Sequence, residues 1–559
     1  MAYQLSPGVL VQEKDISGIV PAVSSSRGAI VGQFKWGPVE DPILVSDEDQ
    51  LVKIFGTPSS GATAAAYFFS AANFLAYSNA LFVNRVVTTG ARNASEGGEA
   101  ETLLIKNRNS FEAMASIPEV GEFAAKYPGA LGNSIQVSYA DSATFTAWDY
   151  RNLFGYAPGT TEWVAERGGT GDELHIVIID AGGLISGTAG TVLERFEGVS
   201  KAPGAVRFDG QSNYYMTVIN DRSSHIWAIR VPDDLGNNWG TEVSDGLTYT
   251  PTVAPYDVTF QYGNDGTAVS TAELQAGWMQ FQNAETYDVN LLITGPADDT
   301  TSTYVVANVA ETRKDAMAFI SPTLASVTGA DKVGEVATWR DGLGVNTSYA
   351  VLDSGWKYQY DRYNRRYIWV PLNADIAGLC AQVDGQLDPW WSPAGFNRGF
   401  IKNVVKLAYS PSQTDRDVLY PLGVNPVVTF PGEGTILFGD KTAQTKPSAF
   451  DRINVRRLFI VLGKAAATAA KYQMFQFNDE YTRANFRSMV EPYLAEIKGR
   501  RGITDFLVKC DSANNTAEVI DRNEFVAEIY VKPARSINFV KLTLVATRTG
   551  VEFTEVVGQ

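Results

Sequence analysis

Alternation of apolar and polar positions begins almost at once in this 559-residue chain. In SPGVLVQEKD, Val9 and Val11 alternate with Leu10 and Gln12, the two-residue period of a strand, pinned in front by Pro7 and Gly8. No domain pattern has started there, so the segment reads as a detached strand awaiting a sheet. GAIVGQF (28–34) predicts a second strand and WGP a turn. ILVSDEDQLVKIFG then predicts a strand and a capped helix. Ser46 and Asp49 fit a capping box, Asp47 and Glu48 suit the helix dipole, and Gly56 is placed to end the helix. An Ala- and aromatic-rich helix (62–79) and the strand ALFVNRVV follow.

From about Gly97 to Gly266 the texture changes to short β-prone runs separated by Gly, Asn and Asp turns: SIQVSYAD, ELHIVIID, YYMTVIN, HIWAIRV and YDVTFQY. This predicts an all-β insertion. Helix signals return in TAELQAGWMQFQN, followed by VNLLITG, a helix through VANVAETRK, and AMAFISP. Helix, strand, helix, strand in that order implies a parallel pair and an α/β layer.

The last 110 or so residues carry the strongest periodicity. Val455, Phe459, Leu462, Ala466, Ala469 and Phe477 step by three, four or multiples along one helix face. Arg457, Lys464 and Lys471 are spaced by seven and are expected on the opposite face, with only ~20° of drift per step. A second helix is expected from Asn478 or Asp479, kinked or undisturbed at Pro492 and closed by Gly499. Strands are expected at ITDFLVKC, AEVIDRN and EFVAEIYV, and INFVKLTLVAT predicts a further one near the chain end.

Composition adds bulk and charge to this picture. Hydrophobic residues make up 45% and charged residues 19%, with 11 Trp, 25 Tyr and 28 Phe, which is a folded chain long enough for three or four domains. The net charge of -16 argues against a general nucleic-acid binder, since phosphate needs a basic face. Residues 441–559 hold 18 Lys+Arg and 13 Asp+Glu, a net of +5, leaving 28 and 49, a net of -21, for residues 1–440. An acidic partner for the C-terminal part is therefore expected to be worth testing. With Pro7, Gly8 and Glu13 near the start and no long apolar run, neither a signal peptide nor a membrane span is expected, and the chain reads as soluble. Cys380 and Cys510 lack metal-site spacing and read as buried free thiols.

Candidate chemistry is sparse. His175 and His225 lie in β-prone runs without an HExxH or a neighbouring Cys, which favours structural roles. Gly434 to Thr442, GTILFGDKT, nearly spells the phosphate loop GxxxxGK[ST], but Asp440 puts a negative charge where phosphate would bind and TILF reads as strand. The pairs Asp298/Asp299 and Asp233/Asp234 sit in turn-like sequence, and the aromatic WWSPAGFNRG reads as a packed loop. No catalytic, metal or cofactor site is expected.

SPGVLVQEKD, GAIVGQFKWGP with FGTP after it, LNADIAGLCA, DPWWSPAGFNRGFIKNVVKLAYSPS, NPVVTFPGEGTILFGDKT and KPSAFDRINVRRLFIVLGKA together resemble contractile tail sheath proteins of myovirus-type bacteriophages. FNDEYTRANFRSMVEPYLAEIKGRRGITDFLVKCD and NNTAEVIDRNEFVAEIYVKPARSINFVKLTLVATRTGVEF extend the resemblance, which covers roughly residues 1–90 and 270–559. The expected fold is α+β and multidomain: an N-terminal linker arm (1–20), a discontinuous α/β middle domain (21–96 plus 267–440), a β-rich outer insertion (97–266), and an inner, tube-facing α+β domain with a C-terminal strand arm (441–559).

The resemblance implies a non-enzymatic subunit that stacks as hexameric rings around a tail tube and contracts on a baseplate trigger to drive the tube through the host envelope. Its implied partners are copies of itself, the tube protein, and baseplate and tail terminator proteins, without direct nucleic acid or membrane. Its implied place is the virion tail, after assembly in the host cytoplasm. Arg457, Lys464 and Lys471, helped by Arg456, Arg483 and Arg487, are the expected tube contacts. Val9, Leu10, Val11, Phe539, Val540, Leu542 and Leu544 are expected to exchange strands with neighbouring copies. A surface protein whose insertion binds glycans, and the sheath of a related injection device such as a tailocin, stand as alternatives.

Overall fold

A computed structural model describes residues 24–97, 103–115, 118–232 and 238–538. The chain divides into two bodies. The larger comprises Ala22–Pro389 and Pro393–Lys464; of the smaller, residues 390–392 and 465–538 are described.

A seven-stranded sheet organises the larger body. Its strands run Val424–Asn425, Ala350–Asp353, Met317–Ile320, Leu291–Ile293, Gly28–Gly32, Leu81–Arg85 and Ile43–Val45 across the sheet. All neighbours are parallel except the last pair. Numbered along the chain, the six parallel strands lie in the order 2-1-3-4-5-6 of a doubly wound sheet. The expected parallel pair of VNLLITG and AMAFISP is present, Leu291 facing Met317. Four of these strands are buried on both faces, which accounts for their unbroken apolar runs.

The strand Gly28–Gly32 shows why. Gly28 and Gly32 point to one face, where helix Ala62–Leu75 comes so close that a Cβ on Gly28 would lie 2.7 Å from the Phe74 ring and one on Gly32 would strike Tyr67. Val31 points to the other face and meets Gly277 of helix Thr271–Met279. Helix Asn373–Gln386 packs beside Ala62–Leu75 and is itself almost wholly buried.

Residues 93–266 form two antiparallel sheets. One has four strands (Tyr256–Thr259, Ile135–Ala140, Glu173–Asp180, Thr191–Ser200) and the other three (Asn93–Ser95, Phe123–Pro128, Ile226–Ala228). Arg85 ties this region to the central sheet: fully buried, it donates to the carbonyls of Phe34, Lys35, Gly37 and Pro128. The region is not purely β. YYMTVIN, read as a strand, is part of helix Tyr215–Arg222, because its buried positions Tyr215, Val218 and Ile219 follow the i, i+3, i+4 rule.

In the smaller body, helix Glu480–Gly499 packs against an antiparallel pair, Ile503–Lys509 with Glu528–Pro533. The Asp479 carboxylate caps the helix by accepting from Thr482 N, and Pro492 sits within it, as the sequence suggested. AEVIDRN, read as a strand, instead begins helix Ala517–Asp521 behind Thr516, an extended N-cap residue. At residue 46 the cap is displaced by one: Asp47, not Ser46, accepts from Gln50 N, while Gly56, at φ 77°, ends the helix as expected.

Candidate assembly surfaces

In an open parallel sheet the usual ligand crevice lies beyond the carboxyl ends of the strands, where the order reverses. Here that place falls between Gly28–Gly32 and Leu291–Ile293, and the chain fills it with its own side chains. Tyr67 packs over Gly32 and Gly295, and Asn373 donates to the Gly295 carbonyl at 2.8 Å. Farther along, the buried Asp353 accepts from Ser321 Oγ at 2.6 Å and from Gly355 N at 2.9 Å. Burial pushes its carboxyl up to about 8 despite those bonds. Lys357 and Asp375, neither exposed, pair at 2.8 Å, and Asp375 also accepts from Tyr77 at 3.0 Å.

The other candidate chemistries resolve into structural contacts. His175 is buried, stacks on Phe154, and accepts at Nδ1 from Gly198 N at 3.0 Å. His225 pairs with Glu194 at 2.6 Å. In GTILFGDKT, Gly434–Leu437 is a strand and Asp440 pairs with Arg452 at 3.0 Å. Asp298 caps helix Asp299–Tyr304, and Asp299 accepts from Trp339. Asp233 and Asp234 lie outside the described residues. Among the described residues no three His, Cys, Asp or Glu gather at metal-holding range, and no helix is long and apolar enough to cross a membrane.

The seven-spaced cations lie on the predicted helix, Ile453–Lys471, but not on one solvated face. Arg457 is buried, pairs with Asp384 at 2.5 Å, and donates to the carbonyls of Cys380 and Ser25, both at 3.1 Å. Lys464 pairs with Asp288 at 2.6 Å and Asp315 at 3.3 Å. Apolar residues surround this part of the helix, so Arg457 meets protein where a two-faced reading expects water; its partner Asp384, 73 positions away, carries no local signal. Arg456 is half-buried, its guanidinium over the Tyr349 and Phe450 rings. Lys471 is exposed, Arg483 is half-buried and donates to Asn478, and Arg487 is half-buried. Phe477, expected on the buried face, lies beyond the helix and is 86% exposed.

Two features of the smaller body are open. The pair Ile503–Lys509 and Glu528–Pro533 has no third strand among the described residues, so its outer edges are open to strand pairing there. Leu507 and Tyr530, cross-strand partners, are both exposed. The segment between the two long helices exposes Tyr472, Met474, Phe475 and Phe477, and Tyr481 is exposed just after it. The seven residues expected to exchange strands, Val9, Leu10, Val11, Phe539, Val540, Leu542 and Leu544, lie outside the described residues. In the larger body, an open cleft of about 690 Å³ is lined by Tyr156, Trp163, Phe208, Glu162 and Arg207.

Three family descriptions match along the chain: Tail sheath protein Gp18 domain III N-terminal region (26–86), Phage tail sheath protein central domain (267–443) and Phage tail sheath C-terminal domain (445–547). The tail sheath protein of Vibrio phage KVP40 is 33% identical over 99% of this chain and 100% of its own length. The chain belongs to the phage tail sheath family. The tail sheath protein of Enterobacteria phage T4 is likewise 33% identical over 99% of both chains. A sheath tail protein of Listeria innocua shares the fold, with a TM-score of 0.56, 11% identity, and coverage of 92% of this chain and 93% of that one. This sheath chain is thus a structural subunit of a contractile sheath, a multi-subunit part of a virion tail. None of the three family regions reaches into 87–266.

Proposed function

We propose that this sheath subunit stacks as hexameric rings around a tail tube and is held in an extended state. Contraction on a baseplate signal then drives the tube through the host envelope for genome ejection. The energy lies in the difference between two packings of the same subunits, so no catalytic step is required. The bare strand pair Ile503–Lys509/Glu528–Pro533 carries this reading. A two-stranded sheet is marginal in water, and strands added from neighbouring copies would satisfy its edges. The strand-patterned ends around Val9–Val11 and 539–544 are the donors proposed for it.

In this arrangement the C-terminal domain faces the tube and the insertion faces outward. Because Arg457 and Lys464 are bonded within the subunit, tube contact falls to Lys471, Arg483 and Arg487, with Arg456 a lesser member and the exposed segment Tyr472–Phe477 beside them. Baseplate and tail terminator proteins complete the set of partners, and assembly takes place in the host cytoplasm.

Negative-stain microscopy tests the reading. The full chain should form hollow tubes and a chain lacking the first dozen residues should stay as soluble protomers; tubes from the shortened chain would overturn strand exchange. A lesser reading, glycan binding by the insertion, is favoured by the aromatic-lined cleft alone and predicts saturable binding of cell-surface oligosaccharides, lost in Phe208→Ala.

A further inference from the structure

The row Ser25 to Gly28 is held at several points. Ser25 Oγ donates to Asp384 Oδ2 at 2.7 Å, the same oxygen that Arg457 approaches at 2.5 Å, and Arg457 also donates to the Ser25 carbonyl. Two residues on, Arg27 reaches Asp288 Oδ2 at 3.2 Å, while Lys464 takes the other oxygen of that carboxylate at 2.6 Å. Between them the Ser26 carbonyl accepts from Ser78 Oγ at 3.3 Å. The Arg27 carbonyl accepts from Asn290 N and Leu291 N, and Gly28 N donates to the Ala80 carbonyl to begin the central sheet.

The two clamps share one plan: a cation from the helix, a bridging carboxylate, and a residue of the N-terminal root. Their helix members are seven residues apart, about 10 Å of rise on one side of the helix. Their root members are two residues apart, about 7 Å of extended chain. A cation row at heptad spacing and a chain running alongside it therefore meet at two points. The first clamp is sealed, its two side chains 4% and 6% exposed; in the second, Asp288 is 42% exposed.

We propose that Arg457 and Lys464 are positioning residues that form a two-point mount for the root of the N-terminal segment, residues 24–27, holding it against the helix under load. Resting on the reading that this segment joins a neighbouring copy, the mount is where tension from that neighbour enters the subunit. It delivers the load to helix Ile453–Lys471 and helix Asn373–Gln386 instead of to the terminal hydrogen bonds of the Gly28–Gly32 strand. Removal of Arg457 or of Asp384 leaves an uncompensated buried charge and endangers folding, so the informative variants are Ser25→Ala and Arg27→Ala, singly and together, which take away the root's side chain from each clamp and leave the helix pairs in place.

The test is to pull on single full-length subunits in an optical trap, between a handle at Ala2 and one on Gly463→Cys, with thermal unfolding of the same proteins alongside. Release of residues 24–27, ~14 Å of chain, is the event read. The double variant should release at least tenfold faster at fixed load while its Tm stays within a few degrees of the parent. An unchanged release rate overturns the mount, and so does faster release accompanied by a matching fall in Tm, which would make these pairs ordinary stabilisers of the fold. Failure of the parent protein to form tubes would strike the assembly reading alone and leave the pulling result standing.

Discussion

The central sheet and the strand pair Ile503–Lys509/Glu528–Pro533 satisfy the same backbone groups in different ways. Seven strands pair with one another, helices cover both faces, and even Arg85, Lys357 and Asp375 find partners inside. The strand pair has a helix against it but no third strand at either edge among the described residues, and it exposes Leu507 and Tyr530. One region is finished within the subunit; the other has the open edges that the proposed strand exchange would fill. A sheath needs both, a rigid body to transmit movement and an incomplete surface through which copies engage.

The comparison breaks most readily in the finished region, through Asp353. Its carboxyl is raised to about 8 by burial, so the unfolded chain ionises near pH 4 while the folded chain keeps its proton. Stability from this group is full below about pH 4 and is lost as pH rises towards 8, by up to about 1.4 kcal/mol per unit. Asp353→Asn should flatten that slope, so urea midpoints of variant and parent agree near pH 4 and diverge by pH 8 with the variant the more stable. Parallel pH profiles would mean that Asp353 ionises freely.

The unfinished region should answer differently. Leu507→Thr with Tyr530→Thr should leave subunit stability within about 1 kcal/mol, as exposed substitutions that keep strand propensity do, yet raise the concentration needed for tube formation at least tenfold. Sedimentation of assembled tubes against urea melts of protomers separates the two, and equal losses in both would erase the distinction. Smallest of all, Lys471→Glu with Arg487→Glu should weaken sheath assembly on tubes by ~0–1 kcal/mol per charge, a deficit that shrinks at raised salt. A deficit unaffected by salt would count against charge pairing there.

Local rules were enough for much of the fold. Apolar runs located the parallel strands, Gly56 ended its helix, and TILF forms the strand it reads as, whereas Gly499 stays helical and Arg501 takes the left-handed turn expected of it. Short runs that suit either period were the weak point. YYMTVIN and AEVIDRN hold β-branched residues in helices of eight and five residues; burial of Tyr215, Val218 and Ile219 on one face accounts for the first, and the second has no buried residue to account for it. Arg457 was misplaced for another reason: a buried cation is recognisable only through Asp384, which the fold supplies from far along the chain. The edge-strand patterns at both ends lie outside the described residues, whereas the bare pair of strands proposed to receive them shows itself only once the pairing is known.

Cys380 sits four residues before Asp384 on the same helix, and its carbonyl accepts from Arg457. Burial pushes its thiol up to about 12, so at neutral pH it is neutral and shielded from reagents. A thiol probe can reach it only when the helix around it opens. Labelling kinetics in free subunits, in intact tails and after contraction would therefore time the breathing of this joint, with a reporter the subunit already carries.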